Sequence, residues 1–467
     1  MESLQRGLMY TRLVAYGVSL YLSILRRSLS ARISGRAAPP PLPEGASPSE
    51  PRNIVIVGAA FAGYHAARLL TSTLPKDSPY RVVVVEPNSH FNFTWVLPRF
   101  CVVDGHEHKA FIPYGGGLPG AGGKSDIGKP VKWIRDRVVS VGKKTVKLRD
   151  SGEELPYEFL IIATGSSVKD GLPSRVGSED KASGVELLRG MQRKIRDAKK
   201  VVVVGGGAAG VELATDAADK YPDKKIVLVH SRHAVMQRFG AGLQKGAAEN
   251  LKRLGVEVIL EDRVVSEDEA SRTVTLRSGK EIDCDCFINC TGQKPSSEIL
   301  AEISPSSILP DGHIKVKPTL QVADDALPNV YACGDVAETK TPNPNSRAAM
   351  RQAEVAADNV ISATRNKTPR FTYTPEWANG VIKLTLGLDR SITHWGDGKT
   401  ELLMPGEEKD LALMCDGSWT ALGAKPFEDT GAMATTSKAG AHAVEPAKMQ
   451  DAPAHPEAPR LETTVAA

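Results

Sequence analysis

Two short glycine clusters hold the residues best suited to chemistry. Gly58-Ala59-Ala60-Phe61-Ala62-Gly63 follows the apolar run Ile54 to Val57, and Gly205-Gly206-Gly207-Ala208-Ala209-Gly210 follows Val201 to Val204. In each, a β-branched run ends in a turn that opens a helix-like stretch. Such a turn aims free backbone N–H groups and the positive end of a helix at an anion, which is how a pyrophosphate is bound. The first glycine permits the tight turn, the middle one clears the phosphate path, and the third lets helix and strand approach. The second cluster is complete at Gly205, Gly207 and Gly210, whereas the first carries Ala60 at the middle position, so that a methyl group crowds the path.

The next apolar run after each cluster sets its character. Glu86 ends the first, 23 residues after Gly63. A carboxylate there accepts both ribose hydroxyls of an adenosine. Lys225 to Val229 ends the second in His230-Ser231-Arg232-His233, with His230 at the position of Glu86 and no acid. A 2′-phosphate would meet cationic neighbours here, Arg232 first, so the sequence leans toward NADPH or dual use. Two units of different character imply two dinucleotides, one retained and one exchanging.

The elements that position them lie downstream. Leu160 to Ser166 and Phe287 to Pro295 are apolar strands ending in Thr164-Gly165 and Thr291-Gly292, and Asn329 to Glu338 is a third, ending in Gly334-Asp335. These five landmarks, in this order, resemble the two-dinucleotide-binding flavoprotein fold. The resemblance implies an α/β architecture of two Rossmann-like domains. An FAD-binding domain (52–168 and 288–369) is interrupted by an NAD(P)H-binding domain (169–287), and a small α+β C-terminal domain (370–426) follows.

Within that fold the disulfide reductases need a cysteine pair near the flavin, and here "HFNFTWVLPRFCVVDGHEHKAFIPY" offers Cys101 alone. The same stretch, with "GVELATD" and "HSR", is similar to the apoptosis-inducing factor 2 / ferroptosis suppressor group. For FAD, that resemblance implies contacts from Gly58 to Gly63, Glu86, Thr164, Gly165 and Asp335, and a basic residue from Arg99 or Lys109. It further implies the Val138 backbone against the adenine and Gln352 and Ala353 at the isoalloxazine edge. Glu212 matches a glutamate near the nicotinamide; a helix-start carboxylate favoured by the dipole is its other reading. The implied activity is hydride transfer from NAD(P)H to flavin N5 and onward transfer to a quinone or other small acceptor. A type II NADH dehydrogenase and a non-enzymatic redox-sensing or death-effector flavoprotein stay open as alternatives, and a homodimer is compatible with all three.

Charge bounds the partners. The first 36 residues hold six arginines and one acid, leaving 53 of the 59 basic and 54 of the 55 acidic residues in a neutral body. No case for nucleic acid rests on that balance. The apolar-to-neutral run Leu13 to Leu25 is shorter than the roughly 18 residues of a spanning helix. It suits a mitochondrial transit peptide or an amphipathic helix on a membrane surface, or a signal anchor if the span begins near Gly7 and tolerates Arg12. The mitochondrion is the first expectation, and the cytoplasmic face of another organelle or a lipid droplet the second. Residues 37–51 read as a proline-rich linker and 427–467 as a disordered tail. Cys284, Cys286 and Cys290 fall at even offsets on one strand, as small apolar groups facing one side rather than a metal site, and no metal is expected. "GAGGKS" lacks the first glycine of a phosphate loop, since Leu118 stands there, and reads as a surface insertion.

Overall fold

The computed structural model describes residues 2–34, 52–75, 77–115, 118 and 131–429. The proline-rich linker and "GAGGKS" lie outside them. Helix α1 (Glu2–Ser34) precedes two parallel sheets.

The first sheet starts with β1 (Arg52–Val57) and β2 (Tyr80–Val85), paired in parallel from Arg52↔Tyr80 to Val57↔Val85. Both are β-branched runs buried almost throughout, as strands covered on both faces require. Helix α2 (Phe61–Thr73) makes the crossover between them. β3 (Lys132–Ile134) extends the sheet beyond β2, and β4 (Phe159–Ile162) pairs with the other side of β1. The far edge, next to β4, is filled only by β11 (Val330–Ala332), some 170 residues later in the chain.

The intervening chain builds the second sheet, in spatial order β8-β7-β6-β9. Its strands are β6 (Lys200–Val204), β7 (Lys225–Val229), β8 (Glu257–Ile259) and β9 (Cys286–Asn289), with helices α4 (Lys181–Asp197), α5 (Ala208–Lys220) and α6 (Ala241–Arg253) in the same segment. The two crossings are tied together. β5 (Ser166–Ser167) pairs antiparallel with β10 (Lys294–Pro295), and the Thr164 hydroxyl donates to the Ser296 carbonyl at 2.7 Å.

After β11, helix α7 (Ser346–Ala363) lies against α2. Ala62, Ala66 and Ala67 on α2 and Ala349, Ala353, Ala356 and Ala357 on α7 are buried small residues that let the two axes approach. An antiparallel sheet of β12 (Ile382–Thr385), β13 (Arg390–Gly396) and β14 (Glu401–Glu407), then the short helix α8 (Cys415–Ala421), completes the described chain. This sheet grips the second one: Glu401 Oε1 accepts the Gly242 N–H at 2.6 Å in the first turn of α6.

Three sequence expectations change. The boundary at 287/288 would cut β9, whose pairing with β6 runs from Val201↔Cys286 to Val204↔Asn289, so the second crossing lies beyond Asn289. Cys284 does not share a side with Cys286. It precedes β9, its N–H bonds the Arg272 carbonyl, and its side chain joins the core on the other side of the sheet. The expected tail begins too early: Phe427 packs edge-on against Trp419, and Asp429 accepts from His90 Nε2 at 3.1 Å.

Candidate functional site

The two glycine clusters fold alike. Gly58 (φ +92°) and Gly205 (φ +114°) turn the chain out of β1 and β6 in a conformation that favours glycine. A Cβ on Gly63 would come within 1.9 Å of the Gly58 carbonyl oxygen, and one on Gly210 within 1.9 Å of that of Gly205, so these approaches admit no side chain. Between them, Ala60 and Gly207 are the exposed N-caps of α2 and α5, both in extended backbone. A Cβ at Gly207 would meet nothing within 4 Å. Ala60 likewise sits in unstrained, extended backbone and is exposed.

Both helix starts lack the side-chain acceptor that the other long helices of the two sheets receive. Asp180 caps α4 and Asn345 caps α7 with side-chain oxygens, and Glu401 serves α6. Neither Ala60 nor Gly207 offers a side-chain acceptor. Among the described residues no side chain takes their first N–H groups, which are left for water or for an anion.

Glu86 is 5 % exposed at the end of β2. Its Oε2 accepts the Ala59 N–H at 2.6 Å and its Oε1 the Asn88 N–H at 2.8 Å. Burial raises its pKa while the two N–H donors oppose the shift. Val138 is buried on the three-stranded sheet that includes Val138–Val141. At the other end of the first sheet, Gly334 (φ +80°) turns β11 toward Asp335. Gln352 on α7 fixes this turn: its Oε1 accepts the Gly334 N–H at 2.8 Å, and its Nε2 donates to Thr339 and Thr341. Gly334, Asp335, Gln352, Ala348, Arg238 and His313 line a cavity of about 220 Å³ against the start of α7.

Sequence reasoning did not find Arg175, Arg238 or His313, since none belongs to a motif. Arg175 donates to the Ser166 carbonyl and hydroxyl and reaches Asp335 Oδ2 at 3.3 Å, linking the first crossing to the Gly334 turn. His313, Asp311 and Glu338 bring ligand atoms within 4.8 Å of one another, with His313 Nδ1 3.0 Å from Asp311 Oδ2.

Arg99, Lys109 and Ala353, expected at the flavin, make other contacts in the fold. Arg99, on the short helix α3 (Leu97–Phe100), is 1 % exposed. Its Nε donates to Asp216 Oδ2 at 2.7 Å and its terminal nitrogens to the Gly387 and Leu388 carbonyls, so its hydrogen bonds are taken up inside the protein. Lys109 bonds His106 at 2.9 Å and lies over the Phe427 ring. Ala353, one position round the helix from Gln352, faces the α2 side and is fully buried in the core, outside the cavity lining. Glu212, in the first turns of α5, accepts the Thr385 N–H from β12 at 3.2 Å. Burial, with Asp216 nearby, pushes its pKa up to about 8. Arg232 is exposed just beyond β7.

Fe-regulated protein 8 of Mycosarcoma maydis is 33% identical over 407 residues, covering 80% of this chain and 96% of that protein. Human ferroptosis suppressor protein 1 is 28% identical, again covering 80% of this chain and 96% of the relative. Among solved structures, NDH2 from Plasmodium falciparum in complex with NADH superposes with a TM-score of 0.60 at 14% identity, over 80% of this chain and 94% of that one. Residues 52–359 match the model of the pyridine nucleotide-disulphide oxidoreductases, and with two uncapped dinucleotide turns in one interleaved fold the chain belongs to that family.

Proposed function

We propose that the protein is an FAD-dependent NAD(P)H oxidoreductase that passes electrons to a quinone or a similar small acceptor. Family membership supports an NAD(P)H-dependent flavin oxidoreductase. The observation that carries the finer reading is the difference between the two turns, an acid (Glu86) completing one and no acid completing the other. The residues at the first turn fit an adenine dinucleotide: free N–H groups at Ala60 and Phe61, a buried carboxylate at Glu86, and a glycine–aspartate turn above the cavity. Gly58 to Gly63, Glu86, Val138, Asp335 and Gln352 would hold FAD. When bound, it supplies the acceptor for the coenzyme's hydride and the donor for the second substrate.

The protein's own part is to bind, orient and exclude water. Gly205, Gly207 and Gly210 would seat the coenzyme pyrophosphate. Burial holds the Glu212 carboxyl, pushed up to about 8, largely protonated near neutral pH, with Oε1 held by the Thr385 N–H. The quinone assignment draws on the similarity to proteins named ferroptosis suppressor protein 1.

The same reading puts the protein on a membrane surface, mitochondrial in the first instance. Leu8, Val14, Val18, Tyr21, Leu22, Leu25 and Leu29 of α1 are exposed, while Met9 is buried and Tyr16 and Arg12 bond Asn379 and Asp397. No described helix is long and apolar enough to cross a membrane, so this apolar row suits a helix lying in the interface. Helix α1 thereby touches the segment beside Asn345, the cap of α7 at the cavity, since Asn345 also donates to the Asn379 carbonyl.

The test is direct. The purified full chain, loaded with FAD, is mixed without oxygen with NADPH or NADH, then with a soluble quinone. Bleaching of the flavin absorbance followed by catalytic turnover supports the proposal. Bleaching without turnover would point to a sensor, and salt-sensitive retention of DNA to an effector.

A further inference from the structure

Between β7 and α6 the chain makes a tight turn that touches both the second glycine cluster and the cavity beside Asp335. The Phe239 N–H closes it on the Met236 carbonyl at 2.9 Å, which leaves Gln237 and Arg238 at its tip. Met236 (φ +53°) donates its own N–H to the Gly206 carbonyl at 2.7 Å. On the other side the Phe239 ring meets His394 of β13 edge-on, with centroids 5.6 Å apart. Asn343, from the loop before α7, donates to the Arg238 carbonyl at 3.4 Å. The backbone around Arg238 is thus held by three parts of the chain: the second glycine cluster, the C-terminal sheet and the approach to α7.

This turn delivers a positive charge to the cavity, which Arg238 lines together with Asp335, Glu338, His313 and Lys340. The other charges there are offset within the wall. Asp335 faces Arg175 at 3.3 Å, and His313 Nδ1 lies 3.0 Å from Asp311 Oδ2. The Glu338 carboxylate takes the Lys340 N–H at 2.8 Å, which sets an acid beside that lysine. The Arg238 guanidinium, by contrast, is exposed and has no partner among the described residues.

We propose that Arg238 is a catalytic residue of this cavity, its guanidinium offsetting the negative charge that a hydride brings to the bound flavin. This rests on the reading that the cavity beside Asp335 and Gln352 receives that cofactor. A hydride carries two electrons and one proton, so the coenzyme leaves oxidised and the flavin gains one net negative charge. The charge leaves again when the acceptor takes the two electrons, with that proton and a second one from water. A cation fixed where charge develops stabilises the reduced state more than the oxidised one.

The flavin-loaded full chain tests this without turnover. The midpoint potential of the bound flavin is read against a redox dye in wild type and in the Arg238→Gln, Arg238→Lys and Arg238→Glu proteins. Arg238→Gln should favour the oxidised form about tenfold more than wild type does, which is about 30 mV for a two-electron couple. Arg238→Lys keeps the charge and should stay within about threefold of wild type, whereas Arg238→Glu should move further in the direction of Arg238→Gln. A potential unmoved in Arg238→Gln, or a shift of equal size in all three variants, overturns the proposal. Weakened flavin retention at an unmoved potential overturns it too, since Arg238 would then be a binding contact only. If wild type takes up no flavin, the underlying reading of the cavity fails instead, and the role of Arg238 falls with it.

Discussion

Arg99 and Asp216 form an ion pair buried at 1 % and 0 % side-chain exposure, with Nε and Oδ2 2.7 Å apart. It joins α3, from the first domain's loop, to α5 of the second sheet, and Arg99 also holds the carbonyls of Gly387 and Leu388 from the C-terminal sheet. Three parts of the chain therefore share one guanidinium. Removing one partner of such a pair strands a buried charge at a cost of about 3–5 kcal/mol. Arg99→Gln should lower the melting temperature by several degrees and leave flavin affinity within about twofold, since a structural loss acts through stability. Thermal unfolding alongside flavin titration checks this. A large loss of flavin affinity at unchanged stability would return Arg99 to the cofactor.

Glu212 makes a pH prediction whose sign is fixed. Its pKa rises from 4.5 to about 8 in the folded protein, chiefly through burial. Between those values the folded state keeps a proton that the unfolded state releases, so this group's contribution falls as pH rises through the window and stays low above it. A glutamine side chain at this position cannot ionise, yet its amide oxygen can still accept the Thr385 N–H. Glu212→Gln should therefore match wild type near pH 4.5 and gain steadily in relative stability up to about pH 8. A melting-temperature difference that stays flat with pH would show that the carboxyl is not desolvated as described.

The core of both sheets and the order of the two turns were legible because those positions are fixed by short-range rules. A β-branched run followed by Gly58 or Gly205 needs no distant partner to be read. Arg99 shows the opposite case. Its loop resembles one that lies along a flavin, but its place is decided by Asp216, 117 residues on, and by Gly387 and Leu388. Arg175 was silent for the same reason, as its meaning comes from Asp335. Ala353 was misplaced by a single position on α7, where one residue turns a side chain about 100° from the cavity side to the core. Phe427 looked like the start of a tail because its partners, Trp419 and Lys109, are invisible to local composition.

Gly207 separates binding from folding. A Cβ there would meet nothing within 4 Å, and the backbone is already extended, so Gly207→Val should fold normally. The added methyls would occupy the path of the coenzyme pyrophosphate. We expect the flavin-to-protein ratio to stay at the wild-type value while the rate of flavin reduction at a fixed coenzyme concentration drops at least about a hundredfold. Loss of flavin and coenzyme reactivity together would mean that the two turns have been assigned the wrong way round.

Asp335 faces the cavity and holds Arg175. Asp335→Ala should release flavin on dilution at least about tenfold faster than wild type, because a hydrogen-bonding carboxylate worth about 1–2 kcal/mol is lost and the Arg175 guanidinium loses its counter-charge. Absorbance of the filtrate after repeated dilution measures this. An unchanged flavin content would confine Asp335 to bracing the Gly334 turn.

The proposed membrane contact of α1 can be tested without touching the contacts that seat the helix. Val18 and Leu22 are 53% and 58% exposed, whereas the docking contacts run through Met9, Arg12 and Tyr16. Burying a Val and a Leu side chain contributes about 1.5–3 kcal/mol each, so replacing both with Asp should reduce binding to vesicles by well over tenfold. Flotation with vesicles containing anionic lipid reads the change, and the arginine-rich composition of residues 1–36 adds a salt-sensitive part to it. Turnover with a soluble quinone should be unaffected by Val18→Asp/Leu22→Asp, but turnover with a long-chain quinone held in the vesicles should fall along with binding. If wild type fails to float, or both quinones respond equally, α1 is a packing element of the fold rather than its membrane contact.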